Sequence, residues 1–218
     1  MKNVINLSAS NSLLTEWVNQ LRCVNTQCDR LRFRRNLERI GEIGAYEISK
    51  GLDFKKVEIT TPLGTKPSSE LNRQPVVLTI LRAGVPLFQG VMNYFDGADS
   101  GFVGSYRKHD PKEDFVIRQE YITCPNIADR PLIITDPMIA TGASLVEALK
   151  EILQLGTPSS VHILCAIAAK PGLEKLAEAF PDTKIWCGAI DDGLNDKNYI
   201  VPGLGDAGDL SFGSKLQS

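Results

Sequence analysis

The chain has 218 residues, 43% of them hydrophobic, and a formal charge of −2, which is length enough for one well-buried domain and too little charge for a general attraction to polyanions. No run approaches the roughly 18 apolar residues of a membrane span, and the opening MKNVINLSASNSLL lacks the apolar core of a signal peptide; a cytoplasmic protein is expected, with neither membrane nor nucleic acid as partner. Five cysteines, at 23, 28, 124, 165 and 187, form no C-x-x-C pair, and three fall in or beside apolar strand-like runs, so buried thiols are expected and not disulfides.

Residues 1–50 read as an N-terminal helical segment. Leu13, Leu14, Trp17, Val18 and Leu21 repeat at helical spacing, and after a break near Asn25-Thr26 a second pattern runs Leu31, Leu37, Ile40, Gly44, Ile48. The basic cluster RLRFRR (30–35) is a weak nucleic-acid footprint in a slightly acidic chain, and a solvated or subunit-facing helix surface is its expected use. From residue 75 the pattern becomes short β-branched runs alternating with amphipathic segments: PVVLTIL then VPLFQGVMNYF, PLIIT then SLVEALKEILQL, SVHILCAIAA then LEKLAEAF, and finally KIWCGAI. Continuous apolar strands alternating with helices predict an α/β fold, a mostly parallel sheet covered on both faces, in a single domain over 1–218. Residues 101–123 read as a polar β-hairpin inserted after a core strand, a candidate flap over the ligand edge. Of the two histidines, His162 lies inside a core strand, so a protein-built zinc site is not expected; a magnesium ion carried by a phosphorylated substrate needs few protein ligands.

The strongest local signal is PLIITDPMIATGASLVEAL (131–149), a buried strand, a polar loop and a helix. Such units bind ligands at the carboxyl end of the strand, where a helix N-terminus offers unpaired N–H groups to an anion. Ala140, Thr141, Gly142, Ala143 and Ser144 suit a phosphate, without the lysine of a Walker loop. Asp136 suits sugar hydroxyls or a metal-bound water, a carboxylate against the phosphate itself being repelled. At the end of TILRAGVP, Arg82 suits a diphosphate through forked hydrogen bonds, and Ala83-Gly84 leave the backbone open to a ligand. Arg107, in SYRK, is the candidate second clamp. Near the C-terminus, Gly203, Gly205 and Gly208 spell G-x-G-x-x-G, but a dinucleotide turn follows the first strand of a βαβ unit and opens a helix, whereas only ten residues follow Gly208.

Taken together, ILRAG, GSYR, DPMIATGAS and YIVPGLGDAGD, in this order and spacing, resemble the uracil phosphoribosyltransferases, a group of type I phosphoribosyltransferases, with TPLG (61–64) and LN (194–195) extending the likeness over most of the chain. The resemblance implies a type I phosphoribosyltransferase fold with a C-terminal base-binding hood over 191–213. It also implies transfer of ribose 5-phosphate from phosphoribosyl diphosphate (PRPP) to N1 of uracil, with Mg2+, giving uridine monophosphate (UMP) and diphosphate. By the same resemblance Asp136, Pro137, Met138, Ile139, Ala140, Thr141, Gly142, Ala143 and Ser144 hold the ribose and 5-phosphate, and Arg82 and Arg107 face the diphosphate. Tyr199, Ile200, Gly205, Asp206 and Ala207 line the uracil site. Asp206 also touches PRPP or its metal, and it and Arg82 are the catalytic candidates. A homo-oligomer, dimer or tetramer, is implied, and a GTP effector is left open.

Departures from the family pattern are local. Thr135 stands where many phosphoribosyltransferases carry a first acid, which the uracil group also lacks. Ala143 replaces a second glycine and needs negative φ; Asn198 replaces a glycine and can take a left-handed angle; Leu210 replaces an arginine; and the histidine-containing start is absent around Leu7 to Leu14. A regulatory RNA-binding protein on this fold would need a broad basic face, and an NAD-linked oxidoreductase rests on the misplaced glycine motif alone. Uracil offers N3–H as donor with O2 and O4 as acceptors, and cytosine reverses positions 3 and 4, so uracil is expected as substrate, with cytosine and purines rejected.

Overall fold

The structure, a computed structural model, describes residues 2–110 and 113–215, and of 105–110 and 113–120 the backbone alone. A short strand β1 (Val4–Asn6) precedes helices α1 (Leu13–Arg22) and α2 (Arg30–Ser49). Leu14, Val18 and Leu21 form the buried stripe of α1, and Phe33, Leu37, Ile40 and Ile48 that of α2, which Asp29 caps by accepting from Arg32 N–H at 3.0 Å. The two helical patterns are where the sequence put them; β1 was missed, because three residues carry no readable period.

Strands β2 (Phe54–Thr61) and β3 (Gly64–Leu71) pair antiparallel around Pro62-Leu63 as a separate hairpin, exposed along nearly its whole length, with Leu63 99% exposed at the tip. β4 (Val76–Leu81) leads into α3 (Val85–Met92). β5 (Asp99–Asp110) pairs with β6 (Glu113–Thr123), then come β7 (Pro131–Thr135), the two-residue β8 (Met138–Ile139) and α4 (Ala143–Leu153). β9 (Ser160–Ala169), α5 (Lys170–Ala179), β10 (Lys184–Asp191), the small pair β11 (Gly193–Leu194) and β12 (Ile200–Val201), and α6 (Ala207–Phe212) complete the described chain.

The central sheet runs β1-β10-β9-β7-β4-β5-β6, with β8 also on β9 and every pair parallel except β5 with β6. Its inner strands β4, β7 and β9 are buried on both sides. One apolar cluster joins α1, α2 and α3 to one face; the other joins α4 and α5 to the opposite face through Leu145, Leu149, Ile152 and Leu173. The helices α2 and α3 come close because glycines meet there: a Cβ on Gly90 would lie 1.9 Å from Glu38 O, and one on Gly41 2.2 Å from Leu87 O.

The 101–123 hairpin is not an insertion after a core strand. The inner half of β5, from Asp99 to Gly104 (in register with Leu81), is paired parallel to β4, and the same strand then runs out beyond the sheet with β6 against it. Charged residues in its outer half hid the inner half from a pattern search. His162 is buried in β9 as expected; Trp186 Nε1 donates to its Nδ1 at 3.2 Å, and burial pushes its pKa down to about 4, so the ring stays neutral. All five cysteines are free thiols; Cys165 and Cys187 are buried register partners on β9 and β10, while Cys23 and Cys28 are exposed. The basic cluster is engaged within the chain: Arg34 donates to Ser211 O at 2.8 Å, Arg35 pairs with Glu38 at 2.5 Å, and Arg32 lies 3.9 Å from Asp29.

Candidate active site

Because β4, β7, β9 and β10 are parallel, their carboxyl ends share one edge, which carries Arg82, Asp136, Ala169 and Asp191. The ends of β4 and β7 are tied together by buried threonines: Thr79 Oγ1 donates to Thr135 O and Thr135 Oγ1 to Leu78 O, each at 3.3 Å. Thr135, immediately before Asp136, is thus a fully buried strand-to-strand tie.

After β7 the chain does not run straight into a loop. Pro137 O accepts from Ala166 N and Ile167 N, at 3.1 and 3.0 Å, and Met138–Ile139 returns to the sheet beside β9. Pro137 and Ile139 are buried and Met138 is partly so, and of these residues Pro137 and Ile139 turn their side chains from solvent. Ala140, Thr141, Ala143 and Ser144 are partly exposed around Gly142, which stands at the N-cap of α4 with φ 73 and no side-chain cap. Ala143 N–H, the first of that helix, reaches Thr141 Oγ1 at the long distance of 3.4 Å, and a helix N-terminus behind a small-residue loop is an arrangement that receives an anion. Ala143 is the first residue of α4 and is not among the positive-φ residues, so the missing second glycine costs no strain; Asn198 has φ 61, the angle asparagine tolerates. Gly142 and Gly172 are back to back: a Cβ on Gly142 would lie 2.7 Å from Gly172 O, and one on Gly172 2.3 Å from Ala140 O. The start of α5 therefore backs the loop.

Asp136 accepts from Met138 N–H at 3.3 Å, yet burial dominates and raises its carboxyl to about 7. Arg82 follows β4 through a cis Leu81–Arg82 peptide and pairs with Asp209 Oδ1 at 3.2 Å. At 44% and 33% exposure that pair is worth roughly 0–1 kcal/mol, so a diphosphate can displace it. Gly84 differs from the sequence reading: its missing side chain makes room for protein, since a Cβ there would lie 2.2 Å from Thr79 Oγ1 and 2.7 Å from Ile80 O. Arg107 lies on β5, its backbone in register with Ile117; its side chain is outside the described residues.

The segment 191–213 folds over this edge. Asn195 shapes the β11–β12 turn, its Oδ1 accepting from Lys197 N and Tyr199 N at 3.0 and 2.9 Å. Ile200 and Ala207 are buried with Leu204 in the core cluster, while Tyr199 is exposed; Gly205 has φ 95, and its Cβ position is nearly open space. What this segment offers a ligand is largely backbone. Asp206 caps α6 by accepting from Asp209 N at 3.0 Å, with Lys215 Nζ 3.7 Å from its other oxygen. Gly208, inside α6, marks where this segment meets Arg82: a Cβ there would lie 3.8 Å from Arg82 Nη2 and 3.1 Å from Asp206 Oδ1. Sequence reasoning missed Asp191, whose only signal was an acid ending an apolar strand, and Asp209.

The family model described as uracil phosphoribosyltransferase matches residues 8–214. The chain belongs to the uracil phosphoribosyltransferase family. A curated relative of that name from Porphyromonas gingivalis is 48% identical over 98% of this chain and 99% of its own length. One from Thermococcus gammatolerans is 39% identical over 94% and 91%. The solved structure of the AQ2163 protein from Aquifex aeolicus superposes with a TM-score of 0.86 at 34% identity, covering 98% of this chain and 99% of that one. By family the chain is therefore a glycosyltransferase of the pentosyl-transferring kind, on the mostly parallel, helix-flanked sheet described above. Among the described residues no helix is long and apolar enough to cross a membrane.

Proposed function

We propose that the protein transfers ribose 5-phosphate from PRPP to N1 of uracil, releasing diphosphate and UMP. The observation that carries the reading is the meeting of three parts at one sheet edge: the N-terminus of α4 behind Ala140 to Ser144, the Arg82 guanidinium, and the backbone-rich segment around Gly205 that meets Arg82 at Asp209. The loop from Asp136 to Ser144 takes the ribose hydroxyls and 5-phosphate, Arg82 the diphosphate, and Tyr199, Ile200 and Gly205 to Ala207 the base. Pro137 and Ile139, being buried, contribute shape.

Cleavage of the anomeric bond leaves positive charge on the sugar while negative charge grows on the diphosphate. Arg82 is aimed at that growing charge and exchanges Asp209 for it, so its hydrogen bonds are worth most in the transition state. Uracil must lose its N1 proton, and Asp206 is the carboxylate at the hood to accept it, directly or through water. Magnesium enters with PRPP as part of the substrate and neutralises the leaving group. The residues fit it: Asp136, at the strand end, has a single N–H on its carboxyl, and Asp206 accepts from the backbone through one oxygen, so one or two carboxylates would stand beside the phosphate oxygens.

The exposed β2–β3 hairpin supports a homo-oligomer, since an isolated two-stranded ribbon is marginally stable and Leu63, Phe54 and Ile59 lie uncovered on it. Five unpaired thiols support a reducing, cytoplasmic setting. GTP as effector belongs to the same reading and has the family resemblance alone behind it. The test is incubation of the pure protein with PRPP, magnesium and uracil, with chromatography of the products. UMP and diphosphate in equal amounts, lost on chelation of magnesium, are expected; absence of UMP would sink the proposal.

A further inference from the structure

Asp191 is the last residue of β10, 7% exposed, and the transfer chemistry has no use for it. Its Oδ1 accepts from Arg22 Nη2 at 2.7 Å and its Oδ2 from Arg22 Nη1 at 2.8 Å, a two-pronged pair joining the end of α1 to the end of a central strand. The same two side chains take hold of a third element. Gly203 N–H donates to Asp191 Oδ2 at 3.1 Å, and Arg22 Nη1 donates to Gly203 O at 3.0 Å.

We infer that Arg22 and Asp191 are positioning residues for the base, gripping Gly203 at both its N–H and its carbonyl and so setting the spacing between Ile200 and the Gly205 to Ala207 segment. The inference rests on the assignment of that segment to uracil. Gly203 lies between the two halves of the proposed base site and is held through both its N–H and its carbonyl. It stands at φ 61, and a Cβ on it would lie 2.0 Å from Ile200 O, so the turn is closed tightly and a shift of Gly203 carries the Ile200 carbonyl with it.

Stability alone is a poor reason for this pair. Burying two charges costs several kcal/mol per ion, and apolar residues of similar volume hold elements together equally well. What an apolar contact lacks is direction. A guanidinium fork locked on a carboxylate fixes a donor and an acceptor side by side, and here Arg22 Nη1 and Asp191 Oδ2 together address one glycine. A site that reads a flat base through backbone groups has no side-chain rotamers with which to absorb error, and a displacement of about 1 Å can cost about 100-fold. Arg22 and Asp191 would thus act on uracil without touching it.

The test is steady-state kinetics of Asp191→Asn and Arg22→Lys beside the wild type, varying uracil and PRPP separately. Asp191→Asn keeps the shape and an acceptor but loses the charged fork; the KM for uracil is expected to rise about 10-fold or more, the KM for PRPP to stay within about two-fold, and preference for uracil over cytosine to shrink. Arg22→Lys keeps the charge and loses the second prong, and a smaller shift of the same kind is expected. A role in folding alone would lower the melting temperature and leave both KM values in place, and that result overturns the inference. So does an equal rise of both KM values. If Asp191→Asn does not fold, Arg22→Lys decides, an unmoved uracil KM counting against. An inactive wild type would overturn the uracil assignment itself, whereas an active wild type with unmoved variants overturns only the positioning role.

Discussion

Arg82 and Asp136 stand at the ends of adjacent strands, and each has a measurable signature. On the proposed roles, Arg82→Ala removes the donor assigned to the leaving diphosphate, so turnover should fall about 100- to 1,000-fold while uracil binding changes far less. Steady-state kinetics with uracil and PRPP varied separately checks the split. Asp136 has its carboxyl raised to about 7 by burial, from an ordinary value of 3.8. At pH below 3.8 folded and unfolded chains both carry the proton, and the group takes nothing from stability. As pH rises through the window to about 7, the unfolded chain ionises and the folded one does not, so stability falls and the loss is complete above about 7. Asp136→Asn should therefore melt higher than the wild type at pH 8, the difference closing toward pH 4 (about the unfolded value), while activity drops at every pH. The wild-type KM for PRPP should rise as pH falls below about 7, since protonation removes the charge and turns one acceptor oxygen of Asp136 into a donor facing the ribose hydroxyls. Melting scans across pH check the first statement and a pH series of PRPP saturation the second.

At the scale of elements, glycines decide where parts meet. Gly90 and Gly41 let α2 lie against α3, and a Cβ on Gly90 strikes backbone at Glu38, which cannot swing aside. Gly90→Ala should cost about 1–3 kcal/mol, a drop of roughly 2–12 °C in melting temperature by calorimetry. These contacts were illegible in the sequence, because a glycine that admits a neighbour looks the same as one that turns the chain. Gly84 is the sharpest case, read as opening the backbone to a ligand and found packed on Thr79 and Thr135. By contrast Ala143 and Asn198 were legible, since each has one backbone angle that its chemistry allows. The apolar strands and amphipathic helices were also legible, their period being set by burial. β2 and β3 were not, because an exposed ribbon carrying Pro67 and charged residues on both sides has no face to bury.

For the whole molecule, the parallel sheet is what turns separate motifs into a site. Arg82, Asp136 and Asp191 are far apart in the chain and share one edge because their strands run the same way, which the alternation of apolar runs and helices already implied. The pairing of Arg22 with Asp191, and of Arg82 with Asp209, was beyond the sequence, since nothing local tells which distant partner a charge will find. The central claim is that backbone groups of the hood choose the base. Its most direct test is a competition in which uracil, cytosine and hypoxanthine are supplied together at equal concentration with PRPP and magnesium and the nucleotides formed are counted. UMP should exceed each other nucleotide by about 100-fold or more, since each reversed group leaves a buried partner unpaired at about 1–3 kcal/mol. Comparable amounts of the cytosine or hypoxanthine nucleotide, or no UMP at all, would contradict it.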